Sequence, residues 1–201
     1  MDWEQKWREG VTPWDAGEPA LALVDWLAAP TVTGGRALVP GCGGGHDAIA
    51  LAKHGFAVSA LDIAPTAVAK LRKKCQKLGL GPSQLKPVLG DILEAKTAEE
   101  LGHFDLIWEY TLLCALPPNR RHEWAAAIDR FLAPNAELLT LIFPTGPRSR
   151  PGPPFQLTAA DLTALLTPYG LTAVELGPAQ RSLAAREGLE LFARWRRSAP
   201  S

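Results

Sequence analysis

The sequence predicts a doubly wound α/β fold, a mostly parallel sheet with helices on both faces, and three observations carry that prediction. Short apolar segments alternate with amphipathic ones from residue 36 onward, which is the grammar of βαβ units. Glu137 to Phe143 (ELLTLIF) is almost wholly apolar, as a central strand covered on both faces should be. Glycine or aspartate follows the early apolar segments, at Gly41, Asp62 and Gly90-Asp91, where such strands end and ligands bind.

Each element follows in order. Residues 1–17 are an aromatic, charged lead-in that ends in Thr12-Pro13-Trp14-Asp15-Ala16-Gly17. Pro19 to Ala29 reads as an amphipathic helix with Leu23, Trp26 and Leu27 on one face. Arg36 to Val39 is the first strand, followed by a glycine cluster and a helix from His46 to Lys53. Gly55 closes that helix where a left-handed residue is wanted. Phe56 to Leu61 is the second strand, ending at Asp62; Pro65 opens a helix that runs to Leu78 before Gly79. Leu85 to Leu89 is the third strand, Phe104 to Trp108 the fourth, Arg120 to Leu132 a helix, and Glu137 to Phe143 the fifth strand. After a Pro/Gly-rich loop at 144–154, Thr158 serves as N-cap of a helix ending at Leu166. Leu171 to Leu176 and Leu189 to Trp195 are closing strands with no helical segment between them, so they are expected to pair antiparallel at an edge.

Composition narrows the function. The chain has 201 residues, an expected single domain over 1–201, with 21 Lys and Arg against 21 Asp and Glu. Zero net charge argues against a nucleic-acid binder or a basic membrane-surface protein. Three cysteines, with no C-x-x-C pair, argue against a disulfide framework and for a reducing compartment. No apolar run reaches the roughly 20 residues of a bilayer span, and the N-terminus lacks a signal-like apolar stretch. A cytoplasmic location is expected. His54 and His103 lack metal-ligand spacing and read as solvated side chains, and no metal is implied. Arg120-Arg121 reads as a surface pair and Cys114 as a core residue.

The strand ends hold the chemistry. Gly41-Cys42-Gly43-Gly44-Gly45-His46 follows the first strand. A dinucleotide fingerprint would need glycine where His46 stands, which argues against a nicotinamide oxidoreductase. Backbone without Cβ at Gly41 and Gly43 lets a ligand press against the turn beside a helix N-terminus. Asp62, 21 residues beyond Gly41, is placed to accept hydrogen bonds from two ribose hydroxyls, or else is a turn aspartate before Pro65. Asp91-Ile92 would flank an adenine ring, or else is a Gly-Asp turn.

Trp3-Glu4-Gln5-Lys6-Trp7 with Glu9-Gly10-Val11-Thr12-Pro13-Trp14-Asp15, and Ala37 to Asp47, carry a more specific signal. Together with Leu61-Asp62-Ile63, Phe104 to Ile107, Glu109-Tyr110, Cys114-Ala115, Gly152 to Phe155 and Gly188 to Trp195, they closely resemble the halide/thiol methyltransferase branch of the thiopurine methyltransferase family. The resemblance covers essentially the whole chain. It implies the Rossmann-like fold of class I S-adenosyl-L-methionine (SAM)-dependent methyltransferases, with S-adenosyl-L-homocysteine (SAH) as product. It further implies a cofactor-covering lid over residues 1–17, built on Trp3, Trp7 and Trp14, whose ring faces suit a sulfonium cation. By the same resemblance Gly41, Gly43, Asp62, Ile63, Asp91, Ile92 and Tyr110 hold the cofactor. Tyr110 is the catalytic polar group nearest the methyl, and Trp14, Pro154 and Phe155 wall the acceptor pocket. Thiopurine-type members carry Asp-Arg where this chain has Glu109-Tyr110; the tyrosine matches the halide/thiol branch.

The expected reaction is in-line displacement at the methyl carbon by a halide, bisulfide, thiocyanate or small thiolate, with no dedicated base, in an enzyme expected to be monomeric. The alternatives are a thiopurine-type enzyme acting on bulkier aromatic thiols or on selenium and tellurium compounds, and a SAM-binding module without catalysis.

Overall fold

A computed structural model describes residues 1–146 and 151–197; part of the Pro/Gly-rich loop read at 144–154 falls outside them. The chain runs α1 (Trp3–Glu9), α2 (Leu21–Ala28), β1 (Arg36–Pro40), α3 (His46–Lys53), β2 (Ala57–Asp62), α4 (Pro65–Leu78), β3 (Leu85–Leu89), α5 (Ala95–Leu101), β4 (Phe104–Tyr110), α6 (Arg121–Phe131), β5 (Leu132–Ile142), α7 (Ala159–Leu166), β6 (Leu171–Pro178) and β7 (Leu191–Arg197). Seven strands form one sheet in the order β3-β2-β1-β4-β5-β7-β6. β1 to β5 pair in parallel, while β7 runs antiparallel to both β5 and β6. The doubly wound reading and its antiparallel pairing at the C-terminal edge both hold.

Period-two alternation divides the core into two layers. Leu38, Ile107 and Leu138 point to the face covered by α5, α6 and α7, against Trp124, Ile128, Phe131, Leu162 and Leu166. Their neighbours Ala37, Val39, Leu106, Trp108, Leu139 and Leu141 point to the face covered by α2, α3 and α4, against Leu23, Leu51 and Leu71. This is why the central strands read as mostly apolar runs, with few polar interruptions such as Asp105 and Thr140.

Local chemistry sets the boundaries. Pro65 opens α4 and Gly79, at φ 67°, ends it. Thr158 caps α7 in a full capping box with Asp161. Three features departed from expectation. α5 is a seven-residue helix whose N-cap side chain makes no capping bond, so no signal announced it. β5 begins at Leu132 because Leu132 pairs with Phe104 across an irregularity in the β4–β5 register. A 3-10 turn at Ala184–Arg186 interrupts the connection between β6 and β7.

Trp195 is fully buried and donates its Nε1–H to Thr140 Oγ1 at 2.9 Å. Thr140→Val keeps the shape and removes the acceptor, so it should cost about 1–3 kcal/mol, the penalty for a stranded buried donor. Denaturant unfolding should show a lowered midpoint at unchanged slope.

Candidate active site

Strand order reverses at β1, whose neighbours are β2 on one side and β4 on the other. The chain leaves β1 and β4 toward opposite faces, and a crevice opens at their carboxyl ends. It holds a cavity of about 540 Å³. Trp3, Trp7 and Trp14 form one wall, Gly41, Gly43, Asp62 and Ile63 the floor, and Thr111, Cys114, Phe143, Pro153, Pro154 and Arg186 the opposite wall. A smaller cavity of about 60 Å³ shares Trp14, Gly41, Gly43, Thr111 and Arg186 and adds Tyr110, His46 and Asp47.

The glycines are required sterically. Gly43 has φ 48°, and a Cβ there would lie 3.2 Å from the Trp7 ring. At Gly45, φ 75°, a Cβ would lie 2.3 Å from Leu71 Cδ1. The loop is held from below by Asp62, whose Oδ2 accepts the Gly43 N–H at 2.8 Å while Oδ1 accepts the Ala64 N–H at 2.9 Å. Asp62 therefore does make the local turn considered for it. A carboxylate offers about four acceptor positions, so two remain for a ligand. Burial raises the Asp62 carboxyl above its usual range, opposed by these backbone bonds.

The aromatic wall is docked by polar contacts. Asp2 caps α1, and Gly10 at φ 71° ends it. Glu4 accepts the Thr66 N–H at 2.9 Å and the Thr66 hydroxyl at 2.6 Å. It thus caps α4 from another element, where Ala64 makes no side-chain cap of its own. Lys70 lies 5.0 Å from the Trp7 ring centroid, and Trp3 and Trp7 meet Trp14 edge-on at 5.1 and 6.3 Å. Asp15 lies 3.3 Å from His46 Nε2, and this contact lowers the Asp15 carboxyl.

The end of β4 is organised by Glu109. Its buried carboxyl accepts the Leu113 N–H at 2.8 Å, folding the chain into a tight turn with Thr111 at φ 69°. Burial pushes Glu109 up to about 7 against the pull of the Leu113 and Leu112 N–H groups. Next to it, the Tyr110 hydroxyl donates to Glu190 and accepts from Arg186. Arg186 also donates to the Trp14 carbonyl at 2.7 Å and lies 5.0 Å from the centroids of Tyr110 and Phe143. The Tyr110 phenol is raised by burial, with its bond to Glu190 adding to the rise and Arg186 opposing it.

Most of the residues singled out from sequence converge here. Asp91, Ile92 and Phe155 do not line either cavity. Asp91 closes a turn onto the Leu93 N–H at 2.9 Å, Ile92 joins the core, and Phe155 bonds through its N–H to the Cys114 carbonyl at 2.6 Å. Arg121 is buried and donates to the Gln156 carbonyl at 2.8 Å, so only Arg120 of that pair is a surface residue. Cys114 is buried, as expected of a core residue, yet it also borders the main cavity. Its thiol is pushed up to about 12 by burial, so it is no thiolate. Arg186 escaped sequence reasoning because it lies in an aperiodic connection, and Glu190 because it was read as part of the closing strand. Two opposite charges four apart at the start of the family-like Gly188–Trp195 segment were the available sign.

The model of the thiopurine S-methyltransferase family matches residues 1–186. The chain belongs to this family. Among its relatives, a probable thiol methyltransferase 2 of Arabidopsis thaliana is 36% identical, over 98% of this chain and 84% of that protein. A thiocyanate methyltransferase 1 of Brassica oleracea is 35% identical, over 97% and 84%. A 1,6-didemethyltoxoflavin-N1-methyltransferase of Burkholderia thailandensis, solved with SAH, superimposes with a TM-score of 0.74 at 20% identity, over 98% of this chain and 86% of that one. The thiopurine-family chain is thus a SAM-dependent methyltransferase with the class I fold.

Glu109 generates a pH prediction. A carboxyl near 7 when folded and near 4.5 when unfolded binds its proton more tightly in the native state. Its contribution is complete below pH 4.5 and is lost as pH rises through about 7, by about 3 kcal/mol. Glu109→Gln keeps an acceptor for Leu113 and cannot ionise. Its stability relative to wild type should therefore rise across that window, as read by urea melts at pH 4.5 and 7.5.

Proposed function

We propose that the chain transfers the methyl group of SAM to a small soft nucleophile: a halide, bisulfide, thiocyanate or small thiolate. The observation that carries this reading is the size and lining of the crevice. Pockets for drug-sized ligands occupy about 300–1,000 Å³, so a nucleoside-sized donor takes most of the 540 Å³. Little is left for a bulky aromatic acceptor among the described residues. The names of the plant relatives support the same acceptor class.

SAM supplies an electrophilic methyl on a sulfonium centre. The residues fit such a group. Three indole rings, of a kind that attracts cations, line the cavity, Gly43 leaves room where a Cβ would meet Trp7, and Asp62 keeps acceptor positions for ribose hydroxyls. In this reading Ile63 borders the nucleoside end and Tyr110 stands nearest the methyl. Trp14 and Pro154 exclude water from the nucleophile, which raises its reactivity. Catalysis then comes mainly from proximity and orientation. Arg186 retains guanidinium N–H groups beyond those spent on Tyr110 and Trp14, enough to draw an anion into the crevice. Neither His46, engaged by Asp15 and Lys74, nor Glu109, turned onto the backbone, faces an acceptor as a base would.

Residues 1–17 serve in this reading as a lid that the cofactor stabilises. Limited proteolysis should cut within them in the free protein and be suppressed by SAM or SAH. Glu4→Ala, which removes the bonds to Thr66, should raise the cutting rate several-fold. Equal cutting with and without ligand would contradict a lid.

The acceptor class is tested by supplying SAM with iodide, bisulfide or thiophenol and measuring methylated product. Iodide and bisulfide should turn over faster than thiophenol; preference for thiophenol would favour the bulkier-thiol reading. With subsaturating iodide the rate should stay flat between about pH 6.5 and 8.5. With an alkyl thiol it should climb about tenfold per pH unit toward the thiol's own pKa near about 8.5.

A further inference from the structure

A tyrosine hydroxyl carries one proton and can accept as well as donate. At Tyr110 the surroundings decide where that proton goes. Arg186 has only donors to offer, so the bond between them uses a lone pair of the phenol oxygen. The proton is left for Glu190, to which the hydroxyl donates. Both partners are almost fully buried, with 8% of Arg186 and 5% of Glu190 exposed, so water does not compete for either bond. Both also arrive from outside the parallel sheet's βαβ framework. Arg186 ends the 3-10 turn between β6 and β7, and Glu190 directly precedes β7.

We propose that Glu190, which borders neither cavity, is a positioning residue that holds the Tyr110 proton away from the smaller cavity that Tyr110 lines beside the larger one, so that Tyr110 meets a ligand with an oxygen lone pair and never with a hydrogen. The consequence depends on the reading of Tyr110 as the group beside the transferred methyl. Hydrogens on a sulfonium-bound methyl are electron-poor and make weak C–H···O contacts to such a lone pair. A phenol proton turned into the same space would repel the cation and crowd the methyl. The methyl hydrogens are most electron-poor in the flattened, partly transferred methyl, so the contact is stronger in the transition state than in the bound donor and lowers the barrier. Glu190 thereby favours the charged donor and the transferring methyl over the neutral product without touching either. The same orientation bars Tyr110 from donating a hydrogen bond to the incoming anion, so Tyr110 acts on the donor side of the reaction alone.

The test uses Tyr110→Phe, Glu190→Leu, Glu190→Gln and the Tyr110→Phe/Glu190→Leu pair, with two readouts. Calorimetry gives Kd for SAM and for SAH; steady-state rates with iodide give kcat and KM. Glu190→Leu should weaken SAM relative to SAH and lower kcat about tenfold, with the KM for iodide unchanged. Tyr110→Phe should do the same, and the pair should be no worse than either alone, since one interaction is lost in all three. Glu190→Gln still offers an acceptor to the phenol and should recover most of what Glu190→Leu loses. Multiplying effects, an unmoved ratio of SAM to SAH affinity, or failure of Glu190→Gln to rescue would overturn the proposal. Should Glu190→Leu not fold, Glu190→Met takes its place; if neither folds, Glu190 is structural and the proposal falls. A wild-type protein inactive on every acceptor would instead sink the functional reading. An active one harmed by Tyr110→Phe but indifferent to Glu190→Leu would sink this inference alone.

Discussion

The Asp62 carboxylate joins two chain segments that would otherwise diverge. β1 and β2 are parallel neighbours, so each ends at the same edge of the sheet and each must turn away into a helix. One oxygen of Asp62 takes the Gly43 N–H of the first turn and the other takes the Ala64 N–H of the second. A buried anion bonded this way stabilises both turns and is costly to strip of either partner. The glycine loop is thereby set at a fixed height over the sheet. Trp7 packs on Ala64 and Ala67 at the start of α4, so the aromatic wall takes its position from the same turn. The floor and one wall of the crevice are set by one side chain.

The other wall is built by an analogous device. Glu109 takes the amide of Leu113 and bends the chain after β4 back over the cavity, with Thr111 in a left-handed conformation that costs a β-branched residue strain. Asp62 accepts from backbone on two different elements, whereas Glu109 accepts from the turn that it itself begins. Between the two walls runs Arg186, which donates to the Trp14 carbonyl on one side and the Tyr110 hydroxyl on the other. The lead-in and the final strands are thus mechanically connected through one guanidinium.

How much of this could be read in advance follows from the range of each interaction. The sheet was legible because burial on both faces forces long apolar runs such as Leu138 to Ile142. Caps were legible where one residue suffices, as at Pro65, Gly79 and Thr158. α5 was not, because seven residues with no capping side chain leave no pattern. Asp62 and Gly43 were found by spacing from the glycine turn. Arg186 and Glu190 were missed because their meaning lies in a partner 76 or 80 residues away, with no local periodicity to mark them. Asp91 and Ile92 carried two readings, a ligand contact and a Gly-Asp turn, and the described geometry gives Asp91 a turn and Ile92 a core position.

The buried acidic groups around the crevice are met by dipoles, and its aromatic lining bears on which ligand it holds. Asp47 accepts from the Ala20 N–H and the Trp108 indole, Asp62 from two amides, and Glu190 from a phenol. These donors are dipoles, which satisfy the oxygens of the buried groups. Arg186 is the buried cation bordering both cavities among the described residues. Lys6 also lines the larger cavity, as does Asp62, so the cavity's charged side chains do not by themselves select a cation over a neutral molecule. Trp3, Trp7 and Trp14 line it as well, and indole rings attract positive charge rather than a neutral molecule of the same shape. In the proposed reaction that attraction acts on the sulfonium donor and is absent from the uncharged product, so it eases product release.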